Sequence, residues 1–175
     1  GVGTAAIQIA KARGARVIAA ASSDDKCALC QALGADATIN YTRENLRDAI
    51  KAATAGKGPD VVYDPVGGEL FNASLRSIAF EGRILIIGFA GGAVPQIPAN
   101  HLLVKNVDVI GVNWPVYVEL NPQVMTDSFQ TLMQWYLDGA IKPNVSATYP
   151  LAQAVEALNQ VVTRKSTGKI VIMMA

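Results

Sequence analysis

Gly1, Val2 and Gly3 open the chain, with Ala6 following at the position where a small side chain lets a helix approach a sheet. Glycine has no Cβ to bar close approach, so Gly3 admits a phosphate against bare backbone, and Gly1 suits the tight turn before the helix. The first amides of a helix lack intrahelical partners and carry the positive end of its dipole. Gly1, Val2 and Gly3 could therefore cradle the diphosphate of a nucleotide. A second group lies at the end of the next apolar run, where Ser22, Ser23 and Lys26 stand without an acid at the strand tip. A site selective for a free ribose 2′-hydroxyl normally carries Asp or Glu there. Small hydroxyls leave room for a 2′-phosphate instead, and Lys26 could supply charge to it. Asp24 and Asp25 oppose that reading if they point inward. The plainer alternative makes the serines N-caps, the aspartates dipole partners and Lys26 a solvated surface residue.

Other candidates carry less chemistry. Cys27 and Cys30 form C-x-x-C without a second pair, the one histidine is the distant His101, and the thiols fall inside an expected helix. They read as free thiols in a reduced, cytoplasmic setting. Tyr63 and Asp64 lie in a strand pattern and read as structural, and Trp114 reads as packing, part of a subunit contact, or a cleft border. Composition excludes other classes. A net charge of +1 offers no case for nucleic acid or an anionic membrane. The longest apolar runs, such as residues 84–87, are strand-sized and too short to span a bilayer. With 175 residues and 51% hydrophobic content, the chain can bury one domain's core.

The elements that must hold these residues alternate. Helix patterns cover Ala5 to Ala12, Ser23 to Leu33, Glu44 to Ala53, Glu69 to Ile78, Pro122 to Asp138 and Leu151 to Arg164. Gly14, Gly34 and Gly139 stand after three of them as stop signals. Strand patterns cover Arg16 to Ala21, Ala37 to Tyr41, Asp60 to Asp64, Arg83 to Gly88, Val107 to Val112, Val145 to Tyr149 and Lys169 to Met174. Residues 89–106 cross without clear structure until His101. Near-continuous Val and Ile runs between helices predict a doubly wound α/β domain (the Rossmann fold), its parallel sheet covered on both faces and its first central strand missing. Val66, Gly67, Gly88 and Phe89 then fall at C-terminal strand ends, where open α/β sheets bind ligands.

With these residues laid out, the chain resembles the medium-chain dehydrogenase/reductase superfamily, in its quinone oxidoreductase (zeta-crystallin-like) branch. The resemblance rests on Gly1-Val2-Gly3 with Gln8-Ile9-Ala10-Lys11, on Ala21-Ser22-Ser23 with Lys26, and on Leu33-Gly34-Ala35-Asp36 and Ile39-Asn40-Tyr41. It continues through residues 62–68 (VYDPVGG), Gly82-Arg83-Ile84, Ile87-Gly88-Phe89-Ala90, Tyr149-Pro150-Leu151 and Gly168-Lys169-Ile170-Val171. It implies that residues 1–175 are a dinucleotide-binding domain with a C-terminal return segment. A GroES-like catalytic domain preceding them in relatives is absent from this chain. It implies NADPH as cofactor, with Tyr41 beside the 2′-phosphate and Val66, Gly67, Gly88 and Phe89 flanking the nicotinamide. The implied activity is zinc-independent hydride transfer to a quinone or an α,β-unsaturated carbonyl (an enone or enal), with no catalytic residue in this chain and no turnover by it alone. A homodimer through the edge stretch Val104 to Val112 is also implied. The rival readings are a non-catalytic NADPH-binding module and an enoyl-thioester reductase.

Overall fold

The computed structural model describes residues 1–163 and 165–174. Helix α1 spans Val2–Ala12 and ends where the sequence predicts: Gly14 takes φ 76°, and the Gly14 and Ala15 amides donate to the Lys11 and Ala10 carbonyls, each at 2.9 Å. Strand β1 (Ile18–Ala21) leads to α2 (Asp24–Ala32), whose cap is Ser23: its Oγ accepts from the Lys26 amide at 3.3 Å. Then come β2 (Ala37–Asn40), α3 (Leu46–Ala53), β3 (Val61–Asp64), α4 (Gly68–Ser77) and β4 (Arg83–Ile86). A short α5 (Ala99–Leu103) lies in the crossing expected to be unstructured, and β5 (Asp108–Gly111) follows it. Beyond lie a 3₁₀ turn (Trp114–Val116), α6 (Tyr117–Leu120), α7 (Pro122–Leu137), β6 (Val145–Pro150), a second 3₁₀ turn (Leu151–Gln153), α8 (Ala154–Val162) and β7 (Lys169–Met173). Pro150 and the 3₁₀ turn delay the last helix, which ends before Arg164, a residue outside those described.

Every strand pair is parallel, as the alternation of strands and helices requires. The strands form three groups, β1–β2, β3–β4–β5 and β6–β7. Ala21 faces Asn40 across the first, and Asp64, Ile86 and Gly111 align across the second, so the C-terminal tips lie level within each group. Among the described residues no strand joins β1 to β3, the place the sequence reading gives to a first central strand. Instead α3 packs beside α4.

The core gathers on one face of β3–β4–β5, where Phe71, Leu75, Ile78, Ile84 and Val107 pack with Val62, Ile86, Leu102 and Val109. Phe71, Ile78 and Ile84 are fully buried, each worth about 1.5–3 kcal/mol of transfer free energy. The opposite face departs from expectation, since Val61, Tyr63 and Ile110 remain exposed there. An apolar run shows that a strand seeks cover but not which element supplies it. The stretch Val104 to Val112 also divides: Val104 caps α5, and only Asp108–Gly111 forms the edge strand. Among the described residues from 114 onward, only Ala157 is buried. No helix among the described residues is long and apolar enough to cross a membrane.

Candidate functional site

The first cluster stands at the N-terminus of α1. Gly1 is its N-cap, no side chain caps the first-turn amides, and no acidic residue occupies that turn. The Gly1 carbonyl accepts from the Ala5 amide at 3.3 Å and the Thr4 hydroxyl at 2.8 Å, so it is committed to the helix. A Cβ added at Gly1 or Gly3 would meet no atom within 4 Å. Among the described residues, no neighbour crowds either position. An open cradle and an uncapped helix end are the donor set that a diphosphate requires.

The second cluster is built by the β1–β2 pairing. Residues 21 and 40 are in register, the Tyr41 amide donates to the Ala21 carbonyl at 3.1 Å, and Ser22, Ser23, Lys26 and half-buried Tyr41 gather at the tips. Lys26 Nζ donates to Ser22 Oγ at 3.4 Å. Ser23 is the N-cap that the plainer alternative made it, and Lys26 is partly buried rather than fully solvated.

Around these tips lies a polar network that motif reading does not reveal. Buried Asn40 donates through Nδ2 to Asp24 Oδ1 at 2.6 Å. Asn40 Oδ1 accepts from the Thr42 hydroxyl at 2.7 Å and the Thr42 amide at 3.1 Å, while the Asn40 amide donates to Glu44 Oε1 at 3.0 Å. Arg43 forms an ion pair with Asp24 Oδ2. The Asp24 carboxylate, an objection to a 2′-phosphate, thus turns toward Asn40 and Arg43. A hydrogen-bonding residue at the end of β2 was the available signal, but its partner Asp24 came from helix α2.

The third cluster, Val66, Gly67, Gly88 and Phe89, lies in the turns after β3 and β4, as predicted. Buried Asp64 receives the Val66 and Gly67 amides on Oδ1 at 2.8 and 3.0 Å. The Ala90 and Gly91 amides donate to the Pro65 and Val66 carbonyls at 3.0 and 2.9 Å, tying the two turns together. Gly67 adopts φ 73° and ψ −158°, a region open essentially to glycine alone. A Cβ there would stand 2.8 Å from the Ala93 carbonyl oxygen and 3.1 Å from Phe89 Cδ1. Turn chemistry accounts for Gly67. Gly88 has no such need, its added Cβ lying an ordinary 3.5 Å from the Pro65 carbonyl oxygen.

The remaining candidates stay apart. Cys27 is buried and Cys30 half-buried, burial and then Cys27 raise the Cys30 pKa, and both thiols are free. His101 lies in α5, and Trp114 stacks at a tilt with Tyr117 at 5.7 Å between ring centroids. Among the described residues no three or more His, Cys, Asp or Glu side chains gather to hold a metal. A cleft of about 660 Å³ lies away from the glycine cradle, between the C-terminal halves of α1 and α2 and residues 140–145. There Gln8 Oε1 accepts from the Lys142 amide at 2.6 Å.

Comparison with known proteins agrees with this arrangement. A protein-family model described as zinc-binding dehydrogenase matches residues 1–137. A bovine (Bos taurus) quinone oxidoreductase-like protein 2 is 41% identical over 160 residues, which are 91% of this chain and 46% of that protein. A Pseudomonas aeruginosa quinone oxidoreductase is 32% identical over 176 residues, 99% of this chain and 53% of that one. The solved structure of Escherichia coli quinone oxidoreductase complexed with NADPH superposes with a TM-score of 0.88 at 30% identity, covering 99% of this chain and 54% of that one. The chain therefore spans about half the length of the relatives it matches.

Proposed function

The chain belongs to the medium-chain dehydrogenase/reductase superfamily, in its quinone oxidoreductase branch, and from that premise we propose that it binds NADPH as part of a reductase acting on a quinone or an α,β-unsaturated carbonyl. The carrying observation is the α1 N-terminus, uncapped and free of acids, with glycines whose missing Cβ atoms leave open space. In this reading Gly1, Val2 and Gly3 hold the diphosphate through their backbone. Ser22, Ser23, Lys26 and Tyr41 take the adenosine end, and the turns at Val66–Gly67 and Gly88–Phe89 flank the nicotinamide. When bound, the cofactor supplies the hydride. The residues of this chain bind and orient it, and the turns after β3 and β4 bring no ionisable side chain to the reacting end.

The proposal assigns no metal role to these residues: Cys27 and Cys30 stand on one helix with no grouped third ligand among the described residues. It treats residues 1–175 as the dinucleotide-binding domain with its return segment, dependent on a further domain for turnover. A second copy of the chain pairing along the free edge of β5 and a cytoplasmic setting belong to the same proposal. Isothermal titration of the chain tests it: NADPH binds more tightly than NADH, and both affinities fall roughly tenfold or more in Gly3→Val. Absence of binding to either nucleotide would refute the reading, as would NADPH oxidation by the 175 residues alone with a quinone.

The rival readings separate on a longer protein that carries this domain. Nucleotide binding without turnover of quinones and enals would make it a binding module. Reduction of an acyl thioester alone would make it an enoyl reductase.

A further inference from the structure

We propose that Arg43 determines nucleotide selectivity at the adenosine end, by pairing with Asp24 so that its carboxylate neither repels a 2′-phosphate nor accepts a ribose 2′-hydroxyl. The inference rests on the NADPH reading above. Nucleotide sites that prefer a free 2′-hydroxyl present a carboxylate near the end of the second strand of the fold, where it accepts from the ribose. Asp24 stands two residues beyond Ser22, close enough to take that part. Both of its oxygens are already engaged: Oδ1 receives Asn40 Nδ2 at 2.6 Å, and Oδ2 pairs with Arg43. Asn40 is itself buried and held by Thr42 and Glu44, so the Oδ1 contact is fixed by the β2 tip. The Oδ2 contact depends on one side chain.

That side chain is exposed, at 72% for Arg43 against 56% for Asp24. Exposed pairs add little to folding stability, so the pairing matters for the local field and for occupying an acceptor. Charge counting agrees. Asp24, Asp25 and Glu44 bring three negative charges to the tips, and Lys26 and Arg43 bring two positive ones. Removing Arg43 leaves three against one and opens Oδ2 toward the ribose.

The test titrates the chain with adenosine 2′,5′-bisphosphate and with 5′-AMP, which differ only at the 2′ position, and follows thermal melting in parallel. The expected ratio of affinities favours the bisphosphate in the wild-type chain. It falls roughly tenfold in Arg43→Ala, through weaker bisphosphate and stronger 5′-AMP binding, with little change in melting temperature. Arg43→Lys retains most of the preference. Arg43→Ala with Asp24→Asn returns the ratio to within about twofold of wild type, because the unmasked charge is gone. An unchanged ratio in Arg43→Ala overturns the inference and leaves the cofactor reading standing. Loss of preference that Asp24→Asn cannot restore also overturns it, since Arg43 would then act on the phosphate directly. Failure of the wild-type chain to bind either probe defeats the cofactor reading first and this inference with it.

Discussion

At the α1 end, a side chain added at Gly3 meets no atom within 4 Å, whereas at the β3–α4 turn one added at Gly67 stands 2.8 Å from the Ala93 carbonyl oxygen. Gly67 also sits at φ 73°, and it is reached by amide bonds that Asp64 holds in place. A Cβ at the first glycine meets no crowding from the described residues, whereas the second glycine is needed by the fold. A glycine that the fold does not require leaves room for a group to approach its backbone closely. A glycine with a steric and dihedral need is explained without one, even when it lies beside a ligand. Motif matching treats the two alike.

The contrast can be broken most forcefully at the second glycine. Gly67→Ala is expected to cost about 3 kcal/mol of stability, from backbone strain and the Ala93 clash, read as a lower denaturant midpoint. An unchanged midpoint would remove the distinction. Asp64→Ala leaves the Val66 and Gly67 amides without their acceptor and is expected to cost about 2 kcal/mol, while Asp64→Asn, which keeps an acceptor oxygen, costs less. Gly3→Val sharpens the other side: NADPH affinity falls roughly tenfold or more, about 1.4 kcal/mol, by calorimetry, with the midpoint within about 0.5 kcal/mol of wild type. Loss of stability there would make Gly3 structural too.

The smallest effect lies away from both glycines. The Val17 amide, then Lys11, hold the Asp36 carboxyl below the ordinary carboxylate range. A folded-state pKa below the unfolded one gives stability that is full above the unfolded value of about 4 and is lost as pH falls through the folded value. Denaturant midpoints measured downward from about pH 5 should therefore drop slightly less in Asp36→Asn than in wild type, with nucleotide binding unaffected near neutral pH.

Legibility in the sequence followed the range of the interactions. Helix ends at Gly14, Gly34 and Gly139 were readable because a residue with positive φ after a helix is a local requirement. The β tips carrying Ser22, Ser23 and Tyr41 were readable from apolar runs and the polar residues that end them. The short helices α5 and α6 were not, since neither carries an amphipathic pattern long enough to show. The Arg43–Asp24–Asn40 network was hidden for a different reason: nothing near Asp24 in sequence indicates that β2 will bring Asn40 to it.

What the sequence determined by itself was the order of elements, their parallel pairing, the glycine-led start of α1 and the family, because caps, turns and apolar periodicity act over a few residues and leave a readable trace. Tertiary structure alone decided which face of β3–β4–β5 is covered, which way Asp24 points and which glycine a Cβ would crowd. Those depend on atoms brought together from distant parts of the chain, and steric fit and charge pairing exist only once they meet.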